Sequence, residues 1–157
     1  MNIIFFHTGE TEVKENKHGE TCVVLSKNGE KLVSDAAQGL DRLIPRKLKV
    51  QVWSSMTPAA SQTAELVAEE LGVKRKLLKT LDTDDLDALL ATAFDHGSEC
   101  LVFVSQQPHL GSWTRRLTGL RLPFSEAAAA AFAIDPAVPD RGDLLWFIRP
   151  KFLKRIG

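Results

Sequence analysis

Short apolar runs alternate along this chain with segments in which apolar residues recur every three to four positions. The strand-like runs cover residues 3–6, 49–53, 100–104 and 144–148. The helix-like segments cover residues 26–44, 58–71, 83–94 and 108–118. Strands that alternate with helices predict an α/β fold, a three-layer sandwich in which a mostly parallel sheet has helices on both faces.

The ends of these segments carry residues typical of helix boundaries. Ser26 is suited to cap the first helix, which Pro45 ends. Pro58 fits the first position of the second helix, and Gly72 fits just beyond its last turn. Thr83 is the expected cap of the third helix, with acidic residues following in the first turn.

Three further segments are not assigned to one helix or strand by this periodicity. Residues 11–24 are mostly polar and are expected to form a loop. Residues 127–134 fit two structures, because five consecutive alanines favour a helix whereas a strand would complete the alternation. Residues 151–155 interleave basic and apolar side chains, so they form either a loosely packed terminus or a contact for a partner.

Size and charge narrow the functional classes. The chain has 157 residues, the length of one domain spanning 1–157, and its formal net charge is zero, so we expect no nucleic-acid partner. No apolar run approaches the roughly 18 residues of a membrane span, and the N-terminus lacks the basic flank of a signal peptide. Cys22 and Cys100 indicate two reduced thiols in a cytoplasmic protein, and no pattern indicates a metal or another cofactor.

Polar residues follow three of the predicted strands directly. They are His7-Thr8-Gly9, Ser54-Ser55 and Ser105-Gln106. Because ligands of α/β sheets bind outside the carboxyl ends of the strands, we expect these residues to meet at one site.

The same strand ends resemble a known family. Residues 6–11, Phe-His-Thr-Gly-Glu-Thr, resemble the Arg-His-Gly-Glu-Thr signature of the histidine phosphatase (phosphoglycerate mutase-like) superfamily. Residues 25–29 resemble its Leu-Thr-x-x-Gly helix start, residues 54–64 its Ser-Pro-x-x-Arg-Ala-x-Gln-Thr-Ala segment, and residues 104–108 its Ser-His-x-Pro segment. The length and the closing residues 144–150 are most similar to the small SixA-type phosphohistidine phosphatases.

The resemblance implies a chemistry whose side chains this chain lacks. The family uses a nucleophilic histidine in a pocket of two arginines and a second histidine. The nucleophile falls on Thr8, the first arginine on His7, the second arginine on Ala59, and the second histidine on Gln106. Alanine cannot bind phosphate and glutamine carries no charge, so the resemblance implies a preserved scaffold around replaced chemistry.

We therefore expect a catalytically inactive protein that acts as a binding or regulatory module for a protein or a small phosphorylated ligand. The residues expected to contact that ligand are His7, Thr8, Gly9, Gln106 and His109. The alternative is an active phosphohistidine phosphatase with a non-standard nucleophile, which would be His7 if the first strand were shifted by one residue.

Other polar residues have simpler interpretations. His18, in the sequence Lys-His-Gly-Glu-Thr, matches the signature more literally but follows a charged segment instead of a buried strand. Arg115 and Arg116 fit a solvated helix face, although one of them could replace a lost pocket charge. The acidic cluster fits helix capping better than a cation site; its members are Asp82, Asp84, Asp85 and Asp87.

Overall fold

Eight strands and five helices make up the computed structural model, which describes residues 1–157. The strands are β1 (Asn2–His7), β2 (Thr11–Glu15), β3 (Thr21–Leu25), β4 (Val50–Ser54), β5 (Arg75–Leu77), β6 (Cys100–Ser105), β7 (Ala129–Ile134) and β8 (Gly142–Ile148). The helices are α1 (Lys27–Leu43), α2 (Pro58–Leu71), α3 (Leu86–His96), α4 (His109–Thr118) and α5 (Pro150–Ile156). A short 3₁₀ helix, Lys79–Asp82, precedes α3.

Six of the strands form one sheet in the order β5-β4-β6-β1-β7-β8. The pairs β5–β4, β4–β6 and β6–β1 are parallel, whereas β7 is antiparallel to both β1 and β8. Only β7 therefore runs against the other five strands, which confirms the mostly parallel sheet. β1 and β6, buried along most or all of their length, occupy the centre as their continuous apolar runs require.

Helices cover both faces of this sheet, which confirms the three-layer sandwich. On one face α1, α2 and α5 pack through side chains such as Leu40, Val67 and Leu153. On the other face α3 and α4 pack through Leu89 and Trp113. None of the five helices combines the length and apolar composition of a membrane span.

Several predicted helix boundaries are confirmed. The Ser26 hydroxyl caps α1 by accepting a hydrogen bond from the Gly29 amide at 3.0 Å. Pro58 opens α2, and Gly72 ends it in the left-handed conformation at φ +70°. The expected cap of α3 is wrong by two residues, because Asp85, not Thr83, accepts the amide hydrogen bond of Ala88.

The predicted loop over residues 11–24 is wrong. β2 and β3 pair there as an antiparallel hairpin outside the main sheet, with Val13 opposite Val23. Every residue of β2 is exposed, so no side chain needs to be apolar and the sequence lacks the alternation of a half-buried strand. We refer to β2 and β3 with their turn as the hairpin.

The structure also assigns the two other segments for which the sequence left alternatives, residues 127–134 and 151–155. The alanine-rich segment is a strand, β7, which lies between β1 and β8. The C-terminal segment is the helix α5, not a loosely packed terminus. It packs so closely on α1 that a Cβ added to Gly39 would lie 1.9 Å from the Leu153 carbonyl oxygen.

Candidate functional site

A cleft of about 570 Å³ opens at the carboxyl ends of the central strands. The strand ends are aligned there, since His7 pairs with Ser105 and Ser54 pairs with Val104. The residues that line the cleft are His7, Thr8, Gly9, Thr11, Thr21, Cys22, Val23, Thr57, Pro58, Ala59, Gln106 and Glu126. The sheet, the start of α2 and the hairpin therefore all contribute to one concave site.

The structure brings together the four positions at which the family's chemistry would lie. His7, Thr8, Ala59 and Gln106 all line this cleft, and Gly9 lines it beside them. We call the first four residues the cleft floor. Their geometric convergence agrees with the alignment made from the sequence, although their roles in binding stay a prediction.

The His7 imidazole has a defined orientation at the end of β1. Its Nδ1 lies 2.6 Å from the Thr8 carbonyl oxygen. A carbonyl oxygen can only accept, so in this contact Nδ1 carries the proton and donates it. The neutral ring then keeps an unprotonated Nε2, which can accept a hydrogen bond or act as a nucleophile.

Thr8 is a structural residue of the sheet edge. It is only 5% exposed, and its hydroxyl donates to the Ser105 carbonyl at 3.2 Å. Its main-chain amide donates to the same carbonyl at 2.9 Å. The hydroxyl proton is thus directed at the main chain, and no base accepts it, so Thr8 lacks the activation that a hydroxyl nucleophile needs.

The rest of the cleft floor is uncharged. Ala59 presents only a methyl group from the first turn of α2, and the half-buried Gln106 side chain makes no hydrogen bond to protein atoms. No arginine or lysine lines the cleft, and Glu126 is its only carboxylate. An anionic ligand would therefore meet no fixed positive charge.

A network of hydrogen-bonded residues, which we call the ring, links the main-chain segments that carry the cleft floor. The Thr63 hydroxyl accepts from the Gly9 amide at 3.2 Å and donates to the Ala59 carbonyl at 2.8 Å. The neighbouring Gln62 accepts from the Leu25 amide at 2.8 Å and so ties the end of the hairpin to α2. These two residues hold the main chain of the site together, whatever the floor side chains do.

The other side of this ring joins the end of β1 to α1. The Ser26 hydroxyl donates to a Glu10 carboxylate oxygen at 2.8 Å, while it caps α1. A Cβ added to Gly29 would lie 2.2 Å from the Glu10 carbonyl oxygen, so only glycine permits this close approach. The residues that resemble the family signature therefore have structural reasons to be present.

A main-chain turn completes the cleft beside His7. Ala127 is buried and has φ +60°, a left-handed conformation that is uncommon for residues other than glycine. Its amide donates to the His7 carbonyl at 3.1 Å, and this bond places Glu126 at the cleft. Such strained backbone is found preferentially at binding and catalytic sites.

The contribution of the hairpin to the cleft was not predicted from the sequence. Thr11, Thr21, Cys22 and Val23 line the cleft although their segment was expected to be a loop. The available signal was the group of β-branched residues around Thr21–Val24, which follows a turn containing Gly19.

The two thiols lie in contrasting surroundings. Cys22 is exposed and lines the cleft, whereas Cys100 is buried at the start of β6. Burial raises the pKa of the Cys100 thiol to about 11 by disfavouring its charged form. A thiol reagent applied to the folded protein should therefore label the cleft wall selectively.

His109, predicted as a ligand contact, is not among the cleft-lining residues. Its Nδ1 lies 2.6 Å from an Asp84 carboxylate oxygen, and its ring stacks on Trp113 with 5.8 Å between centroids. These contacts give His109 a packing role, and a ligand contact by this residue stays a prediction. His18 lies in the exposed turn of the hairpin, where its amide donates to the Asn16 side chain at 2.9 Å.

The acidic cluster around the start of α3 is accounted for by protein contacts. Asp84 contacts His109, and Asp85 caps α3. Asp82 accepts from the Met56 amide at 2.9 Å and from the Ser55 hydroxyl, and Asp87 accepts from Arg116. Arg116 is thereby engaged outside the cleft and contributes no charge to it.

Comparisons with known proteins agree on the fold. No protein-family model and no curated protein matches the chain. The structure of the protein histidine phosphatase SixA complexed with tungstate superposes with a TM-score of 0.81 and 22% identity, over 98% of this chain and 99% of that one. A phosphoserine phosphatase from Entamoeba histolytica, in complex with 3-phosphoglyceric acid, superposes with a TM-score of 0.72 and 13% identity, over 97% and 98% of the two chains.

The fold of this chain is therefore the phosphoglycerate mutase-like fold of SixA and other histidine phosphatases, as the sequence predicted. Identities this low establish the fold alone. Function has to be argued from the site, because one fold supports many activities.

Proposed function

We propose that this chain is a binding or regulatory module built on the histidine phosphatase fold, and that it does not transfer phosphoryl groups. The observation that carries the proposal is the charge of the cleft. Neither a guanidinium nor an ammonium group lines it, and the family's nucleophile position holds a threonine whose hydroxyl is bonded to the main chain.

The cleft lacks two kinds of group that phosphoryl transfer needs, cations and an activated nucleophile. Phosphoryl transfer depends on cations placed around the transferring oxygens, because that is where the negative charge lies. Loss of a nucleophile from a catalytic unit costs roughly six orders of magnitude in rate. Ala59 and Gln106 provide no charge, and Thr8 provides no free lone pair on a ring nitrogen, so these losses coincide at one site.

The proposed ligand is a protein segment or a small phosphorylated molecule. A cleft of about 570 Å³ has the volume of small-molecule sites, and its hydroxyl and amide groups can orient a ligand through hydrogen bonds. A phosphate group would be held without an ion pair and therefore weakly. The proposed location is the cytoplasm, where two unpaired thiols such as Cys22 and Cys100 are stable.

The direct test is an assay for phosphate release from p-nitrophenyl phosphate and from a phosphohistidine peptide. We expect no release above background at neutral pH. His7→Ala removes the cleft imidazole, and His18→Ala is the matched control because His18 lies in the exposed hairpin turn. Activity that disappears with His7→Ala and persists with His18→Ala would overturn the proposal.

One observation favours a second candidate, a phosphohistidine phosphatase with His7 as its nucleophile. The contact between Nδ1 and the Thr8 carbonyl leaves Nε2 free to attack phosphorus. A bond from Nε2 to phosphorus would form as the leaving group departs with its electron pair and takes a proton from solvent. Water would then break that bond, releasing phosphate and restoring the imidazole. An acid-labile phosphoryl group trapped on His7 would support this candidate.

A further inference from the structure

A second concave surface lies at the outer edge of the sheet, near the C-terminus. It is a groove of about 710 Å³. Phe147, Ile148 and Arg149 line it from the end of β8, Phe152, Arg155 and Ile156 from α5, and Pro123 from the segment after α4. We call this surface the C-terminal groove. It shares no residue with the cleft.

The floor of the C-terminal groove includes an unpaired strand edge. β8 is the last strand of the sheet and pairs only with β7. The main-chain groups on its outer side therefore have no strand partner. Exposed edges of this kind accept extended peptides, whose main chain supplies hydrogen bonds and whose alternate side chains enter neighbouring pockets.

The C-terminal groove also combines apolar surface with uncompensated positive charge. Phe152 is 47% exposed, and its ring lies beneath both Lys151 and Arg155, at 5.1 and 5.9 Å from the centroid. No carboxylate forms a salt bridge with Arg149, Lys151 or Arg155. In α5 only Lys154 has an acidic partner, Asp35 on α1, at 3.8 Å.

This distribution of charge is local. The whole chain has no net charge, yet the segment from Arg149 to Arg155 carries four basic residues and no acidic one. Cations that flank an exposed aromatic ring favour a ligand in which acidic groups flank apolar side chains.

We propose that the C-terminal groove binds an extended segment of a partner protein in which acidic residues alternate with aliphatic or aromatic ones. The apolar side chains pack on Ile148 and Phe152, and the carboxylates face Arg149 and Arg155. The outer edge of β8 supplies the main-chain hydrogen bonds. The proposal is independent of what the cleft does, because it uses none of the cleft residues.

The test uses the full chain and a synthetic seven-residue peptide that alternates glutamate with valine and phenylalanine. Two control peptides have lysine in place of glutamate, or serine in place of the apolar residues. We expect the acidic peptide to shift the amide NMR signals of Phe147, Ile148 and Arg149, and neither control peptide to do so at equal concentration. Rising salt should weaken the binding, because exposed charges are screened.

Variants of Arg149 and of α5 distinguish binding in this groove from a general attraction of the peptide to basic surface. Arg155→Gln should weaken peptide binding about fivefold, and Arg149→Gln with Arg155→Gln about 30-fold, if each lost charge costs roughly 1 kcal/mol. Lys154→Gln is the matched control, because it removes the same charge from the same helix at a site facing Asp35. It should change the affinity less than twofold.

Several results would overturn the proposal. Absence of shifts in β8 at millimolar peptide would do so, as would equal binding of the lysine peptide. So would an unchanged affinity in the double variant while the amide spectrum shows it folded. Dimerisation of the free protein through β8, detected by sedimentation, would assign the edge to a second copy of the chain instead.

Discussion

The ring around the cleft and the cleft floor lie within a few residues of each other but contribute differently to the fold. In the ring, Gln62 and Thr63 each hold a neighbouring main-chain segment by a buried or half-buried hydrogen bond. On the floor, Gln106 makes no hydrogen bond to protein atoms, and Ala59 contributes a methyl group. Of the floor residues only Thr8 has a side chain bonded into the sheet, through the Ser105 carbonyl. The ring therefore positions the site, whereas the side chains of His7, Ala59 and Gln106 constrain the fold little.

This difference explains how a chain can have a phosphatase fold while the side chains on the cleft floor vary. The matching residues are those that the fold needs: a cap at Ser26, a close approach at Gly29, and a double hydrogen bond at Thr63. None of these contacts uses the side chains of His7, Ala59 or Gln106, which line the cleft. A sequence pattern of this kind is evidence for the fold and is silent on the activity.

Repair of the cleft floor is the change with the largest expected effect. The variant combines His7→Arg, Thr8→His, Ala59→Arg and Gln106→His. If the ring still positions the site, phosphatase activity should rise about 100-fold or more above the wild-type background, and no single reversion should be active, because such residues act as a unit. Release of phosphate from p-nitrophenyl phosphate measures it.

The main obstacle to this repair is space at Ala59, which is 6% exposed. A guanidinium there must enter the cleft without displacing the start of α2. If the quadruple variant folds, stays inactive and binds no phosphate, then the ring no longer positions a catalytic site. The comparison between ring and floor would then hold for stability alone.

Gly29→Ala tests the ring where its packing is tightest. The new Cβ would meet the Glu10 carbonyl oxygen at 2.2 Å, so the main chain must move, and we expect a loss of about 3 kcal/mol in the free energy of unfolding. The matched control is Gly111→Ala in α4. Its Cβ would meet only the movable amide group of Gln107, and alanine favours a helix by about 1 kcal/mol.

Urea denaturation measures both glycine variants. The control should be as stable as the wild type or more stable. Similar losses in the two variants would mean that any helix glycine is sensitive here, and the special role of Gly29 in the ring would be refuted.

Much of the fold and the convergence of the cleft floor could be predicted from the sequence. β1 and β6 are apolar because both their faces are buried, and the polar residues directly after them mark the sheet edge. The sequence therefore predicts that His7 and Gln106 lie at one site, and both line the cleft. The alignment of Ala59 depended on Gln62 and Thr63, which the structure explains as ring residues.

The parts of the cleft wall that were not predicted, β2 and the turn at Ala127, have no hydrophobic pattern of their own. The hairpin is exposed on both faces along β2, so its sequence has no apolar alternation to detect. The turn at Ala127 uses a left-handed conformation that alanine rarely adopts, and nothing in the local sequence predicts it. Both features belong to the cleft wall, which explains why the floor was predicted better than the wall.

Thr63→Val removes two side-chain hydrogen bonds of the ring while the shape of the side chain stays nearly the same. The change leaves the Gly9 amide without its acceptor in a buried position, so we expect a loss of about 2 kcal/mol in the free energy of unfolding. Thr92→Val in α3 is the matched control, because Thr92 is exposed and its hydroxyl donates only to the Ala88 carbonyl of its own helix. The control should differ from the wild type by about 0.5 kcal/mol or less.

Single alanine substitutions on the cleft floor should have the smallest effects. His7→Ala removes one local contact, and the Thr8 carbonyl that it frees still accepts from the Ala127 amide at 3.4 Å. Gln106→Ala removes a half-buried side chain without a protein partner. Each should change the free energy of unfolding by about 0.5 kcal/mol or less, measured from the urea midpoint at constant m-value. A loss above about 1 kcal/mol in either variant would place that residue in the ring, because a side chain that only a ligand or a reaction needs cannot carry that much of the fold.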